Sequence, residues 1–371
     1  MNCRICENRE LIPLHLETNT SMRSDGLLIN EPLRKFHCSN CGALNGENSQ
    51  PNDRYLRTNG KSNFDLLRHE RIAQGLVSFF NNQLFIPEES EILEIGAANF
   101  QTSINLKKYF PHYSVSALER HPESIPELTK INIIIDDFYK WDPKKKFNIS
   151  FSNHVIEHFA DPVSFLLQSK KVVLESGFIV VCCPTYLHAS NELLFTDHIF
   201  HFTTKAMTIC GESAGLKLIS QSTSEWDSNT HIYVFTHCNN KKFKKIQGNN
   251  DDQMYHLLLQ KQQNYLNKWM NEQKSLEETL NSVENIIIFG AGEFTQLIMT
   301  YLPNIWKKVS YLIVDNLSGL RQFNIPVFHL DEIDFDGKYI LIGAHSCSHK
   351  IIYSKLIKHG VKESHILLPQ L

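Results

Sequence analysis

EILEIGAANF, residues 91–100, combines a short apolar strand, a glycine with small neighbours, and the start of a helix. Gly96 has no Cβ, so the chain can turn sharply there and a ligand can approach the backbone closely. The helix that follows offers unpaired N–H groups at its first turn. Glu119 ends the next apolar run, 23 positions after Gly96, where a carboxylate can accept both hydroxyls of a ribose. The stretch therefore predicts a nucleotide-binding turn.

Apolar runs and helical patterns alternate after this turn. Strands are predicted at 92–96, 113–118, 131–135, 147–152 and 178–183, with helices near 101–110 and 163–174. This alternation predicts an α/β fold, a doubly wound Rossmann-like parallel sheet that binds ligands at the carboxyl ends of its strands. The polar or glycine residues at those ends are Gly96, Glu119, Asp136, Asp137, Asn153 and His154. Asp136 and Asp137 fit either an adenine amino group or a solvated turn.

Length and composition narrow the class of protein. The 371 residues allow two or three domains. A net charge of −3 gives no indication of binding to nucleic acid or to an anionic membrane. No apolar run reaches the ~20 residues of a membrane span, and no signal pattern opens the chain, so we expect a cytoplasmic protein. Four of the nine cysteines form two CxxC pairs, which favours a reducing compartment and one metal site over disulfides.

The two CxxC pairs are Cys3 with Cys6 and Cys38 with Cys41, separated by 31 residues. Two such knuckles complete the tetrahedral sulfur shell that zinc favours, although His37 could replace one thiolate. Four protein ligands leave no open position for water. We therefore predict a structural Zn²⁺ that supplies much of the folding free energy of this segment.

Five landmarks follow one another in the order ILEIG, LER, DD, SNHVIEHFADP and SGFIVVCCP. In this order, residues 65–235 resemble the class I S-adenosylmethionine-dependent methyltransferases. The resemblance implies that Glu119 holds the ribose, that Asp137 or its neighbour meets adenine, and that Asn153 or His154 flanks the methionine part. The residues expected around S-adenosyl-L-methionine are Glu94, Gly96, Ala98, Glu119, Asp136, Asp137, Asn153 and His154. This chain has Ala98 and Phe100 where the family usually has glycines.

The loop FTDHIFHFT, residues 195–203, places two histidines beside a carboxylate. Histidine has an ordinary pKa near 6.5 and a neighbouring acid can orient it, so both are candidates for proton abstraction. With its CxxC pairs and C-terminal region, the chain is similar to the three-domain nucleotide-sugar C-methyltransferases. The resemblance implies His198 as the base and Asp197 as its acid, with His201 where the family has a tyrosine. Tyr55 and His158 are expected to contact the substrate.

NIIIFGAGEFT, residues 285–295, is a second strand, glycine loop and helix, and Asp315 lies 25 positions after Gly290. Only about 85 residues remain, which favours a mononucleotide or diphosphate-sugar over a redox cofactor, and Gly290, Gly292 and Asp315 are the expected substrate contacts. A ligand-free structural module is the alternative.

The predicted domain organisation has four parts. These are a zinc-binding module (1–50), a methyltransferase domain (51–240), a linker and bracing helix (241–283) and a Rossmann-like C-terminal domain (284–371). The bracing helix has one apolar side, which fits packing between the large domains or, less directly, a self-associating coil.

The leading functional hypothesis is methyl transfer from S-adenosylmethionine to a nucleotide-activated sugar. Its favoured version is C-methylation of a keto-deoxysugar, in which His198 is the base. O- or N-methylation of a sugar or another small metabolite would use the same base. A non-catalytic binding protein is the second hypothesis, because glycines and tyrosines of the related family are replaced. Nicotinamide redox chemistry at Gly290–Asp315 is the third. The sequence leaves the sugar, the methylated atom and the oligomeric state open.

Overall fold

The computed structural model arranges the chain as three larger sheets connected by one long helix. It describes residues 2–47, 65–84, 86–87, 89–122, 124–126, 130–246, 252–317, 320–321 and 323–371.

Short strands form the N-terminal module. They are β1 (Leu11–Leu14), β2 (Ser21–Met22), β3 (Leu28–Ile29), β4 (Lys35–Cys38) and β5 (Leu44–Gly46). β1, β4 and β5 pair antiparallel in that order, and β2 pairs with β3. β4 ends at Cys38, so the second cysteine pair begins where this strand stops.

The central domain contains a seven-stranded sheet. The strands of this region are β6 (Glu91–Ile95), β7 (Ser114–Glu119), β8 (Asn132–Ile135), β9 (Phe147–Asn153), β10 (Val173–Pro184), β11 (Phe200–His201), β12 (Leu216–Thr223) and β13 (Thr230–His237). The sheet order is β12-β13-β10-β9-β6-β7-β8, in which β6 to β10 are parallel and β13 is antiparallel to both of its neighbours. The predicted α/β fold with a parallel sheet is confirmed. The strand order reverses between β6 and β9, and such a switch point opens a ligand crevice at the strand ends.

Helices cover this sheet. They are α1 (Asp65–Phe79), which continues into a π-helical turn (Phe80–Leu84), α2 (Gln101–Tyr109), α3 (Pro162–Val172) and α4 (Thr204–Ser213), with 3-10 turns at Ile156–His158 and Asn191–Leu194. α3 begins as predicted, because the Asp161 carboxylate accepts the N–H of Ser164 and proline is tolerated in the first turn. The helix predicted to reach residue 174 ends at Val172, and the β-branched Val173 already belongs to β10.

Strand β11 belongs to the central domain by position but to the N-terminal sheet by hydrogen bonding. Phe200 pairs with Asn45 and His201 with Leu44 on β5. Thr203 then caps α4, and its hydroxyl also donates to the Cys41 carbonyl over 2.5 Å. The loop that the sequence singles out is therefore fixed from the N-terminal module.

One continuous helix, α5 (Asp252–Thr279), follows the central domain. Its Leu258, Leu266, Trp269 and Leu276 are buried, and the Trp269 ring lies 5.8 Å from that of Phe294 in the C-terminal domain. Much of its apolar side is thus covered by the same chain, as expected of a helix that packs between the large domains. No helix in the described parts of the chain is both long and apolar enough to cross a membrane.

The C-terminal domain is a five-stranded parallel sheet with helices. Its elements are β14 (Ile286–Phe289), α6 (Glu293–Tyr301), α7 (Pro303–Trp306), β15 (Val309–Val314), β16 (Val327–His329), β17 (Tyr339–Ile342), α8 (Ser346–Lys358) and β18 (Ile366–Leu367). The strand order is β16-β15-β14-β17-β18. Two further 3-10 turns lie at Leu330–Glu332 and Glu363–His365.

The connection from β6 to α2 has an unusual backbone. Gly96, Ala98 and Phe100 all have positive φ, at 74°, 55° and 64°. A Cβ at position 96 would also lie 2.7 Å from a methyl group of Val155, so only glycine fits there. The chain therefore keeps the conformation of a glycine-rich loop with side chains at two of its three left-handed positions. Each such side chain costs about 1–2 kcal/mol.

Substituting Ala98 by glycine should relieve this strain. Because glycine also gives the unfolded chain about 0.5–1 kcal/mol of extra conformational entropy, we expect a net gain of about 0–1 kcal/mol in the free energy of unfolding. Urea unfolding measures it. Ala73→Gly, the same change inside α1, should instead cost about 1 kcal/mol or more. Equal destabilisation by both variants would contradict the strain at Ala98.

Candidate active site

The carboxyl ends of β6, β7 and β9 bring the predicted cofactor residues to one edge of the sheet. The Ala98 N–H donates to one carboxylate oxygen of Glu119, and the His121 N–H donates to the other, both over 2.9 Å. This places the Glu119 carboxylate directly against the glycine-type loop. Asp137 Oδ2 lies 3.5 Å from a guanidinium nitrogen of Arg120, one strand further out.

Asp136 and Glu94 take supporting positions. The Asp136 carboxylate accepts the N–H of Asp137 over 2.7 Å, as in a polar turn. Glu94 is buried within β6, and its carboxyl accepts a 2.5 Å hydrogen bond from Ser103 in α2. Burial raises the pKa of Glu94 to about 8, although the Ser103 bond opposes this shift. The neutral carboxyl therefore ties α2 to the sheet beneath the loop.

His154 follows β9 with a left-handed φ of 53°. Its Nε2 lies 2.9 Å from the Thr230 hydroxyl, and its Nδ1 lies 3.3 Å from a carboxylate oxygen of Glu157. The side-chain amide oxygen of Asn153 (Oδ1) is buried and has no hydrogen-bond partner among the described residues. Both residues line a cavity of about 180 Å³. The other lining residues are Arg68, Arg71, Ile72, Trp226, Asp227 and Thr230. A polar ligand group entering this cavity would meet Asn153.

The histidine loop lies over the 3-10 turn that follows β9. His198 Nδ1 lies 3.0 Å from the Glu192 carboxylate, whereas Asp197 Oδ2 lies 3.5 Å from Nδ1 of His158. The rings of His158 and His198 meet edge to face, with centroids 4.7 Å apart. The structure thus brings together His158, Asp197 and His198. It pairs His198 with an acid, Glu192, that the sequence reasoning missed.

Burial and charge oppose each other at His198. Burial favours the neutral ring, but the carboxylates of Glu192, Asp197 and Glu157 outweigh it and raise the pKa of His198 above its ordinary 6.5. Burial likewise opposes ionisation of Glu192, yet His198 above all holds the pKa of that carboxyl well below its usual range. Each member of the pair therefore favours the charged form of the other.

His201 has the opposite character. It is buried on β11, where burial and then the neighbouring Lys35 charge hold the pKa of His201 well below 6.5. Its Nε2 has no hydrogen-bond partner in the described part of the chain. A neutral imidazole in this position can donate to, or accept from, a bound molecule.

Glu157 is the most deeply buried acid of the site. Its exposed fraction is 0%, and neither carboxylate oxygen makes a hydrogen bond within the described residues. Burial alone would raise the pKa of Glu157, but His154, His158 and His198 together lower it. One donor atom each from Glu157, His158 and His198 lies within 4.8 Å of the others, a set that a divalent cation also accepts. In the sequence, the signal for this acid was the pair Glu157 and His158 shortly after the strand now labelled β9.

The histidine loop is held on two further sides. The Asp197 carboxylate accepts the Ser24 N–H and hydroxyl, each over 2.8 Å, and the Met22 carbonyl accepts the Thr196 N–H over 2.8 Å. From the C-terminal domain, the Tyr301 hydroxyl donates to the Leu194 carbonyl. Parts of all three domains therefore converge on this loop.

The four cysteines of the CxxC pairs form one cluster. Their Sγ atoms lie within 4.8 Å of one another, with 3.7 Å between Cys3 and Cys41 and 3.5 Å between Cys6 and Cys38. All four are free thiols. A tetrahedron with metal–sulfur bonds of about 2.3 Å has edges of about 3.8 Å, so the cluster fits one metal ion. His37 instead approaches Gln262 of α5, at 3.1 Å.

The C-terminal glycine loop has a tight backbone at its first glycine. Gly290 has a φ of 122°, and a Cβ there would lie 2.7 Å from the Gly343 carbonyl oxygen. Thr295, where a third glycine is typical, donates its hydroxyl to the carbonyls of Gly290 and Gly343, each over 3.0 Å. Gly292 has open space around its Cα. The loop is thus a tight glycine turn between β14 and α6.

Two other predicted substrate residues have different outcomes. Asp315 directly follows β15, and its carboxylate pairs with Lys355 of α8. Tyr55 lies outside the described residues. Glu293, the first residue of α6, pairs with Arg321 over 3.2 Å, and burial raises the pKa of Glu293, with the nearby Glu192 adding to this effect. Glu293 therefore lies close enough to Glu192 for the charge of one carboxylate to influence the other.

Comparison with known proteins identifies the central region. Residues 64–221 match the family model described as a methyltransferase domain. A search of curated proteins found no significant match.

Three solved structures of similar fold are described as methyltransferases. The mitomycin 7-O-methyltransferase MmcR is 14% identical (TM-score 0.39; 47% of this chain, 54% of that one). SAH-bound CalO1, a methyltransferase in calicheamicin biosynthesis, is 14% identical (TM-score 0.38; 47% and 54%). An S-adenosylmethionine-dependent methyltransferase from Clostridium acetobutylicum is 8% identical (TM-score 0.37; 47% and 95%). The chain spans about half the length of the first two. The family match places a methyltransferase domain at residues 64–221, the region that contains the parallel strands β6 to β10.

Proposed function

We propose that the protein transfers a methyl group from S-adenosylmethionine to a nucleotide-activated sugar, with carbon next to a keto group as the acceptor. The observation that carries this proposal is the buried His198–Glu192 pair, whose ring nitrogen and carboxylate lie 3.0 Å apart beside the cofactor edge. Methylation at carbon needs a base that removes a proton alpha to a carbonyl. A carboxylate-supported imidazole is suited to that step.

The cofactor residues are assigned from the strand ends. Glu119 would hold the ribose, Asp137 the adenine, and Asn153 with His154 the methionine part, while Gly96 and Ala98 line the loop. The bound cofactor supplies the electrophilic sulfonium methyl. The Asn153 side-chain oxygen Oδ1 supports this assignment, since a buried acceptor without a partner in the described residues suits an ammonium or hydroxyl of a ligand.

The chain's own residues carry the proton chemistry. His198 takes the alpha proton of the keto sugar, and Glu192 stabilises the imidazolium that forms. Asp197 orients His158 beneath it. His201, neutral because burial and Lys35 lower its pKa, would donate from Nε2 to the developing enolate oxygen, a role that its unpartnered Nε2 in the described residues supports. Transfer to a hydroxyl or amine would use the same base, with more of the rate from positioning.

The other domains are assigned around this centre. We propose the boundaries 1–50, 51–240, 241–283 and 284–371, with the sugar between the last domain and the methyltransferase domain. Gly290 and Gly292 would approach the diphosphate at the start of α6, and Asp315 would face the nucleoside. The four clustered thiols would hold a structural zinc ion, for which their 3.5–3.7 Å spacings argue.

Labelled S-adenosylmethionine offered with a panel of keto- and hydroxy-sugar nucleotides tests the function. We expect the label to appear in one keto sugar. Mass spectrometry should then show that the methyl group is attached to carbon. His198→Gln should lower the turnover number by about 10²–10⁴-fold, whereas His359→Gln in the C-terminal domain should not. Methyl found on oxygen or nitrogen would move the assignment to O- or N-methylation. Full turnover by His198→Gln would show that His198 is not the base.

The pH profile tests the Glu192 partnership. The base acts as neutral imidazole, so kcat/KM should rise with pH through a pKa above 6.5 in the wild type. Glu192→Gln removes the main anion that favours imidazolium, and the acid limb should therefore move to lower pH while the plateau falls. Asp197→Asn, a weaker influence on His198, should shift the limb less. An unmoved limb in Glu192→Gln would contradict the pairing.

Metal analysis tests the cysteine cluster. We expect about one zinc ion per chain by atomic emission. Cys41→Ser should lose most of the metal and destabilise the protein, because metal binding contributes folding free energy. Cys238→Ser changes an exposed cysteine outside the cluster and should retain the metal. Equal metal content in both variants would exclude the site.

A further inference from the structure

Lys35 is a buried lysine that reaches the histidine loop from another domain. It opens β4, and its exposed fraction is 2%. Its Nζ donates to the Phe195 carbonyl over 2.8 Å and to the His198 carbonyl over a shorter distance. These carbonyls stand at the two ends of the four-residue segment 195–198. One amine therefore fixes the backbone on both sides of Asp197 and at the base itself.

The surroundings of Lys35 explain how a lysine persists there. Burial lowers the pKa of Lys35 to about 7, while Asp197 and Glu192 oppose that shift. A neutral amine has two N–H groups, which match the two carbonyls, and an ammonium gains the attraction of the two acids. The titratable groups around it are thus Asp197, Glu192, His198 and His201.

Stability alone gives no reason for a lysine at this position. Burying an amine costs free energy that an apolar side chain of similar size avoids. The same strand ends at Cys38 of the thiol cluster, and its neighbour β5 pairs with β11, which carries His201. The metal module and the base are therefore connected through a single strand and one side chain.

We propose that Lys35 is a positioning residue of the methyltransferase site, which holds segment 195–198 so that His198 meets the substrate. This inference rests on the proposed role of His198 as base. Lys35 does not touch the reacting atoms in this assignment and acts through the backbone that it fixes. The N-terminal module thereby becomes part of the catalytic apparatus.

Three variants test the proposal. Lys35→Met keeps the length and removes both N–H donors, and Lys35→Gln retains an amide with two N–H groups. Lys308→Met is the matched control, because Lys308 also bridges two carbonyls, those of Leu280 and Val283 at 2.7 and 2.8 Å, far from the histidines. Hydrogen exchange of peptides covering 194–202, the affinity for S-adenosylmethionine, and kcat, KM and their pH profiles are measured.

We expect Lys35→Met to speed exchange in 194–202 by about tenfold and to lower kcat by about 10–100-fold, with cofactor affinity changed less than about threefold. Lys35→Gln should recover part of kcat. Both variants lack the amine whose protonated form would disfavour imidazolium at His198, so the acid limb should move to higher pH in both. Lys308→Met should change none of these. If Lys35 were merely structural, its loss would lower the melting temperature. It would not lower kcat while leaving cofactor affinity nearly unchanged, and it would not shift the acid limb.

Two results would overturn the proposal: unchanged exchange in 194–202 with Lys35→Met, or unchanged kcat and pH limb despite faster exchange. Exchange and cofactor affinity require no acceptor, so they test the loop even if no sugar is methylated. Loss of the proposed function would appear as absent turnover in the wild type together with normal exchange. The two failures are therefore distinguishable.

Discussion

The pairing of β11 with β5 is the constraint on which the site depends. Phe200 and His201 follow the central domain in sequence, but they pair with β5 and form the last strand of the N-terminal sheet. The polar loop before them cannot relax into solvent, because both of its ends are then fixed. This explains how several imidazoles and carboxylates are held nearly dry without a rigid secondary structure of their own.

Charge complementarity makes that burial tolerable. An isolated carboxylate such as Glu157 or Glu192 would be expensive to desolvate, but each lies among imidazoles that lower its pKa. The histidines divide into two kinds. His198 faces acids and is biased toward imidazolium, whereas His201 faces Lys35 and is biased toward neutral imidazole. One loop thus offers a base and a neutral hydrogen-bonding group within a few residues.

The sequence predicted the parallel sheet and the residues at its strand ends, because apolar runs and turns are local signals. It did not predict Glu192 as the partner of His198. Asp197 lies in a turn and pairs with His158, whereas the adjacent His198 pairs with Glu192, so neighbours in sequence need not form the closest pair. Lys35 and Ser24 were missed for a related reason, since their contacts join positions 160 or more apart in the chain. The left-handed Ala98 was missed because side-chain identity alone does not reveal a strained backbone.

The same interleaving governs the order in which the chain can fold. The bond from Thr203 to Cys41 spans 162 positions, and a chain made from its N-terminus displays both cysteine pairs long before β11 exists. Closing so long a loop costs entropy that only later contacts offset. The N-terminal sheet therefore keeps an unpaired edge at β5 until β11 has been made and can pair with it. The two regions therefore share one sheet despite their separation in sequence.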